Sequence, residues 1–233
     1  SSYNRGTFFT TYEDTANKYA DNNFSFYPSR NIFYAYINGV YGSLNIGGAF
    51  GSITPDNVWN CITVVYDGTF TDADPAVQNA GRLKFYTNGV YKEFATISDN
   101  VPSSIVAPGL GSRIGARNPT STNGSLRSPF VGELSNLQIW NESLTPTEVI
   151  DVYNNGTPLQ SNIPQSGSLK AWYKLGLDSS NWNGTDWTLS NSSANYSNSL
   201  QFNGTSNYIT TPSFTTSGDD LTISVWLKAV NLA

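Results

Sequence analysis

Residues 59–94, WNCITVVYDGTFTDADPAVQNAGRLKFYTNGVYKEF, decide how this chain folds. Trp59, Ile62, Val64, Val65 and Tyr66 form a run in which both alternating faces are largely apolar, so the spacing predicts a strand covered on both sides. Asp67-Gly68 ends it, and the Asp-rich stretch that follows reads as a loop. Leu83-Lys84-Phe85-Tyr86 then alternates inside and outside before Asn88-Gly89 reverses the chain into Val90-Tyr91-Lys92-Glu93-Phe94. Asn-Gly between alternating runs is a strong hairpin signal, because both central residues of a type I′ turn take positive φ.

Working outward, the first 50 residues read as short strands: residues 7–12, Phe24-Ser25-Phe26-Tyr27, Ile32 to Ile37, and Val40-Tyr41 onward to Ile46. Asn38-Gly39 is a second hairpin signal, and Ile37-Asn38-Gly39-Val40-Tyr41 echoes Thr87-Asn88-Gly89-Val90-Tyr91 as repeated turn chemistry. Residues 95–130 are loop-rich around one short strand, 112–116, and Phe130 to Trp140 alternates as a further core strand. One short helix is predicted: Thr145 is its N-cap, Pro146 its first residue, Glu148 closes a capping box, and Asn154-Asn155-Gly156 stops it. Residues 158–168 read as a linker, then strands resume at residues 169–175, 199–202 and 221–227. Many short strands with a turn signal about every 8 to 12 residues predict an all-β, antiparallel, two-sheet jelly-roll sandwich. Long helices alternating with strands are missing, which argues against a parallel α/β sheet.

The composition narrows the function. Of 233 residues 38% are hydrophobic and 14% aromatic, enough for a sizeable core, while only 12% are charged, so Ser, Thr, Asn, Gln and Gly must coat the surface. Such a neutral coat is common on extracellular and virion proteins. A net charge of -5, from 12 Lys plus Arg against 17 Asp plus Glu, leaves few cations for phosphate, so nucleic acid is not the expected partner. No run approaches the ~18 apolar residues of a helical span, so no membrane insertion is expected. Cys61 stands alone within an apolar strand, as a small core residue would. His is absent, which removes Ser-His-Asp and Cys-His catalysis and most zinc chemistry.

Together these segments resemble the laminin-G-like modules of the concanavalin A-like lectin and glucanase superfamily. Such a module runs from a strand like Ser199 to Ile209, through Leu221-Thr222-Ile223-Ser224-Val225-Trp226, to segments like Trp59 to Gly68 and Leu83 to Gly89. It continues through a step like Arg113-Ile114-Gly115-Ala116-Arg117 and closes on a strand like Phe130 to Trp140. In this chain the module's opening pieces come last. Residues 1–157 then form a jelly roll lacking its first strands, 158–168 a linker, and 169–233 either the start of a following module or strands completing the same sandwich. Strands such as 221–227 would otherwise expose apolar faces and open edges, so they must pair within the chain, with an adjacent module or with an identical neighbouring copy. The resemblance implies a non-enzymatic structural and adhesive module, extracellular, on a virion or cell-surface appendage, in contact with surface glycans.

The candidate site residues follow from two kinds of chemistry. Tyr34, Tyr36, Trp182 and Trp187 offer aromatic faces on which sugar rings stack. Asp67, Asp72 and Asp74 lie within eight residues on loops, the oxygen-rich setting that Ca²⁺ requires, and a free-standing Ca²⁺-dependent lectin is the rival reading. The same residues equally suit turns in which each Asp side chain bonds its own backbone. The glucanases implied by the resemblance need two carboxylates on one strand face, and the corresponding strand here carries only Glu133.

Overall fold

The structure, a computed structural model, describes residues 6–11, 24–29, 32–37, 40–45, 58–105, 112–116, 129–175, 199–211 and 219–229. The aromatic alternation near the start of the chain becomes β1 (Phe9–Thr11), β2 (Phe24–Ser29), β3 (Ile32–Ile37) and β4 (Val40–Asn45). The segment quoted first becomes β5 (Asn60–Asp67), α1 (Pro75–Arg82), β6 (Leu83–Thr87) and β7 (Val90–Lys92). Then come β8 (Thr96–Ile97), β9 (Ser112–Ile114), β10 (Val131–Trp140) and α2 (Pro146–Tyr153). The last strands are β11 (Leu169–Tyr173), β12 (Leu200–Asn203), β13 (Ile209–Thr211) and β14 (Asp220–Ala229).

The strands form two antiparallel sheets. The first has the order β13-β9-β1-β2-β3-β4-β8, the second β11-β10-β14-β5-β6-β7, with β12 also paired to β10. Their inner faces share one core: Phe8, Phe9, Phe24, Phe26, Phe33 and Ile37 meet Val64, Tyr66, Phe85, Leu134, Ile139 and Ile223. Phe33 of the first sheet lies with its ring centroid 4.5 Å from that of Phe85 of the second, so the layers interlock through large rings. The expected antiparallel β-sandwich is borne out.

As its pattern requires, β5 is inner: β14 flanks it on one side, from Asp220 opposite Asp67 to Leu227 opposite Asn60, and β6 on the other. Asn88 and Gly89 hold φ of 52° and 76°, the left-handed pair that lets β6 turn directly into β7. The closing strand β14 thus lies between β5 and β10 of its own chain, and β11 and β12 pair with β10 one after the other along the same strand.

Among the described residues two short α-helices are present, where the sequence predicts one. The capping box of α2 forms as expected, Thr145 and Glu148 each accepting from the other's backbone N–H. The additional helix, α1, follows the Asp-rich loop, in the part of the stretch before β6 where no helix was expected. Asp74 caps it by accepting from the Ala76 N–H at 2.8 Å, and Pro75 begins it. Its apolar residues Ala76, Val77 and Ala80 are small or exposed, so it buries no large apolar side chain; its one buried residue is Arg82, which donates to the carbonyls of Phe70 at 2.9 Å and Val101 at 2.8 Å.

Candidate functional site

The first sheet carries a cluster of tyrosines on its outward face. Strand β3 alternates strictly, with Phe33, Ala35 and Ile37 buried inward, so Tyr34 and Tyr36 are directed outward and stay half-buried. A third ring joins them. Ile37 pairs with Val40, which places Tyr41 of β4 directly opposite Tyr36, while Tyr34 faces Ser43. Ring centroids are 5.1 Å apart for Tyr36 and Tyr41, 5.6 Å for Tyr34 and Tyr41, and 6.1 Å for Tyr34 and Tyr36. The strand that carries Tyr41 is tied sideways to the chain after β8: the backbone N–H of Tyr41 donates to Ser98 Oγ at 3.0 Å, and that of Ser98 returns to the Tyr41 carbonyl at 2.9 Å. Gly42, between Tyr41 and Ser43, lies against the Phe94 ring, where an added Cβ would approach to 2.9 Å.

Sequence reading named Tyr34 and Tyr36 and missed Tyr41. The signal was present, because a two-residue Asn38-Gly39 turn forces residues 36 and 41 into register. Residues 38 and 39 themselves, and the other two aromatic candidates, Trp182 and Trp187, lie outside the described residues. Three tyrosines on a sheet face present apolar ring surface for sugar C–H groups beside hydroxyls able to exchange hydrogen bonds with sugar hydroxyls.

The acidic candidates are arranged differently. Asp67 Oδ1 accepts from Thr69 Oγ1 at 2.7 Å and from the Phe70 N–H at 3.0 Å, and its Oδ2 lies 3.8 Å from Lys84 Nζ. Asp72 Oδ1 accepts from the Asp74 N–H at 2.8 Å, and Asp74 caps α1. Each carboxylate is thereby committed to a separate local turn or cap. Among the described residues no three His, Cys, Asp or Glu side chains are grouped to hold a metal ion, so as arranged this trio does not fit a Ca²⁺ cage. Asp220, opposite Asp67, keeps Oδ1 buried without a hydrogen-bond partner. Burial, with the nearby Asp67, Asp219 and Glu142 charges, raises its pKa above the ordinary carboxylate value.

Glu133 accepts from Lys228 Nζ at 2.7 Å and from Ser199 Oγ at 2.7 Å. These contacts tie together β10, β14 and the start of β12. Cys61 is buried, and burial pushes its thiol up to about 11, far from the thiolate state a nucleophile needs.

A laminin-G family model, described as the concanavalin A-like lectin/glucanases superfamily, matches residues 2–150. The chain belongs to this family. The match covers β1 to β10 and most of α2, while β11 to β14 lie beyond it. No curated protein and no solved structure matches the chain. Family membership supports a carbohydrate-binding or adhesive module in general; its members are mostly non-enzymatic, with glucanases among them. Laminin-G-like domains are typically extracellular, and concanavalin A-like lectins often bind Ca²⁺. Among the described residues no helix is long and apolar enough to cross a membrane.

Proposed function

We propose that this chain is a non-enzymatic structural and adhesive module of a virion or cell-surface appendage, and that it contacts surface glycans through the outward face of its first sheet. The observation that supports the glycan reading is the triad Tyr34, Tyr36 and Tyr41, three rings within 6.1 Å of one another on a face that neither helix claims: α2 packs on the second sheet, and α1 adjoins β5 and β6. Neutral polar neighbours such as Ser43 suit uncharged sugar hydroxyls. Hydrolysis finds less support, since the chain's five Glu leave Glu133 as the one carboxylate on the candidate strand, and Lys228 and Ser199 already engage it.

A glycan array tests this, run on the wild type and on a Tyr34→Ala/Tyr36→Ala/Tyr41→Ala variant, each with and without chelator. The expected result is wild-type binding that survives chelator and is lost in the variant. Binding that vanishes with chelator and persists in the variant would move the site to the Asp67, Asp72 and Asp74 rim and favour a Ca²⁺-dependent lectin.

A further inference from the structure

We infer that copies of this chain join by exchanging strands β11 to β14, each copy's β14 filling the gap between β5 and β10 of another. This goes beyond the glycan reading and does not depend on it.

Three observations converge. The part of the chain that matches the family, residues 2–150, contains β5 and β10 but not the strand that separates them. Without β14, two long apolar strand edges would stand open in the middle of a sheet, an arrangement that demands a donor. Second, the donor is a contiguous block whose contacts are with the preceding part of the chain: β14 pairs with β5 and β10, β11 and β12 with β10, and β13 with β9. All these pairs form equally well between two copies. Third, the connection depends on left-handed residues: Asn154, Asn155, Gly156 and Asn162 hold φ of 46°, 51°, 90° and 54°, Asn154 as the cap that ends α2.

Past this hinge the contacts belong to the exchanging strands and the residues that lead into them. Trp140 Nε1 donates to the Pro164 carbonyl at 2.8 Å, Gln165 Nε2 to Glu148 Oε1 at 2.6 Å, and the Asn141 N–H to the Ser168 carbonyl at 2.9 Å. Each is re-formed when these residues and strands β11 to β14 dock on a neighbour. Closed and exchanged forms therefore share nearly every contact and differ at residues 154–162, which extended span up to about 30 Å. Opening the hinge releases the left-handed residues, and concentration supplies the remaining bias. Head-to-tail exchange leaves one donor and one acceptor unsatisfied at the ends, so it propagates into a chain of copies as well as closing into dimers.

The side chains of Thr63 and Ser224, in register on β5 and β14, hold their hydroxyls 2.8 Å apart and buried, so they mark which copy donates the strand. A Cys61→Ser/Thr63→Cys/Ser224→Cys variant, refolded over a range of concentrations, oxidised and separated without reductant, should give disulfide-linked dimers and higher species that increase with concentration. A bond formed only within single chains at every concentration would overturn the exchange. Wild-type sedimentation gives a second reading that needs no new cysteine. Oligomers that persist after dilution for as long as global unfolding takes support exchange; a monomer at all concentrations, or oligomers that fall apart within seconds, overturn it. In the hinge, Asn155→Pro, which cannot adopt positive φ, should raise the exchanged fraction about tenfold, and Asn155→Gly should lower it. No response to either substitution would place the hinge elsewhere and contradict the assignment.

Discussion

The outward faces of the two sheets are built from the same kind of residue and put to different uses. On the second sheet Trp140, Tyr86 and Trp226 lie at 0%, 3% and 3% exposure beneath Val149 and Val152 of α2, with Tyr153 stacked on Trp226 at 5.7 Å and 17°. On the first sheet Tyr34, Tyr36 and Tyr41 cluster just as closely yet remain half-buried. Aromatic content alone therefore does not mark a binding face. What distinguishes the two is the roof: a capped amphipathic helix turns one set of rings into core, and neither helix covers the other set.

The largest expected effect breaks the comparison on the roofed side. Trp226→Ala removes a buried ring stacked on Tyr153 and should cost about 3–5 kcal/mol in chemical denaturation. Tyr36→Ala, a half-buried cross-strand residue, should cost about 1 kcal/mol or less. Equal losses would mean that the tyrosine face is also core.

Next comes the effect on binding. Removing Tyr36 and Tyr41 together should weaken glycan affinity about tenfold or more, equivalent to about 1.4 kcal/mol, in a titration of the immobilised sugar. Trp226→Ala protein that remains folded at low temperature should bind normally.

Loosening the roof sharpens the contrast further. Glu148→Ala breaks the capping box of α2 and the bond from Gln165, and should cost about 1 kcal/mol in thermal unfolding with no change in glycan binding. Although burial opposes the Glu148 charge, hydrogen bonds from Thr145 and Gln165 outweigh it and hold the carboxyl below its ordinary value of 4.5. The stability it adds is thus present above that pH and is lost as pH falls through the lowered value.

The smallest effect belongs to the rim between the faces. Asp220 has its pKa raised from 3.8, so its charge weighs on the native state increasingly as pH rises from there through the raised value. Asp220→Asn should raise Tm by about 1–2 °C at pH 7, with the gain disappearing near pH 3.8 and below in a pH series of melts.

Much of this was legible in the residues. Trp59 to Phe94 announced an inner strand and a hairpin, and Asn88-Gly89 fixed the register of β6 on β7. Thr145, Pro146 and Glu148 announced α2. By contrast, α1 was missed although Asp74-Pro75 offers the same cap and proline as Thr145-Pro146, because its apolar residues are small and its buried anchor is a charged one, Arg82. Strands β8 and β13, of two and three residues, are too short to alternate visibly and exist through their partners β4 and β9. At the site, Tyr34 and Tyr36 were visible as outward positions, and Tyr41 required carrying the hairpin register across the turn. The acidic trio reads differently in sequence and in space. Three Asp within eight residues look convergent in sequence, but each serves its own stretch of backbone.

The contrast between the faces is tested most directly by nuclear magnetic resonance titration of the protein with the tightest soluble oligosaccharide from the array, following the aromatic side chains. A binding platform on the first sheet predicts shifts at Tyr34, Tyr36 and Tyr41 with Tyr86, Tyr153 and Trp226 unmoved. Shifts concentrated under α2 or beside Asp67, with the three tyrosines silent, would contradict it.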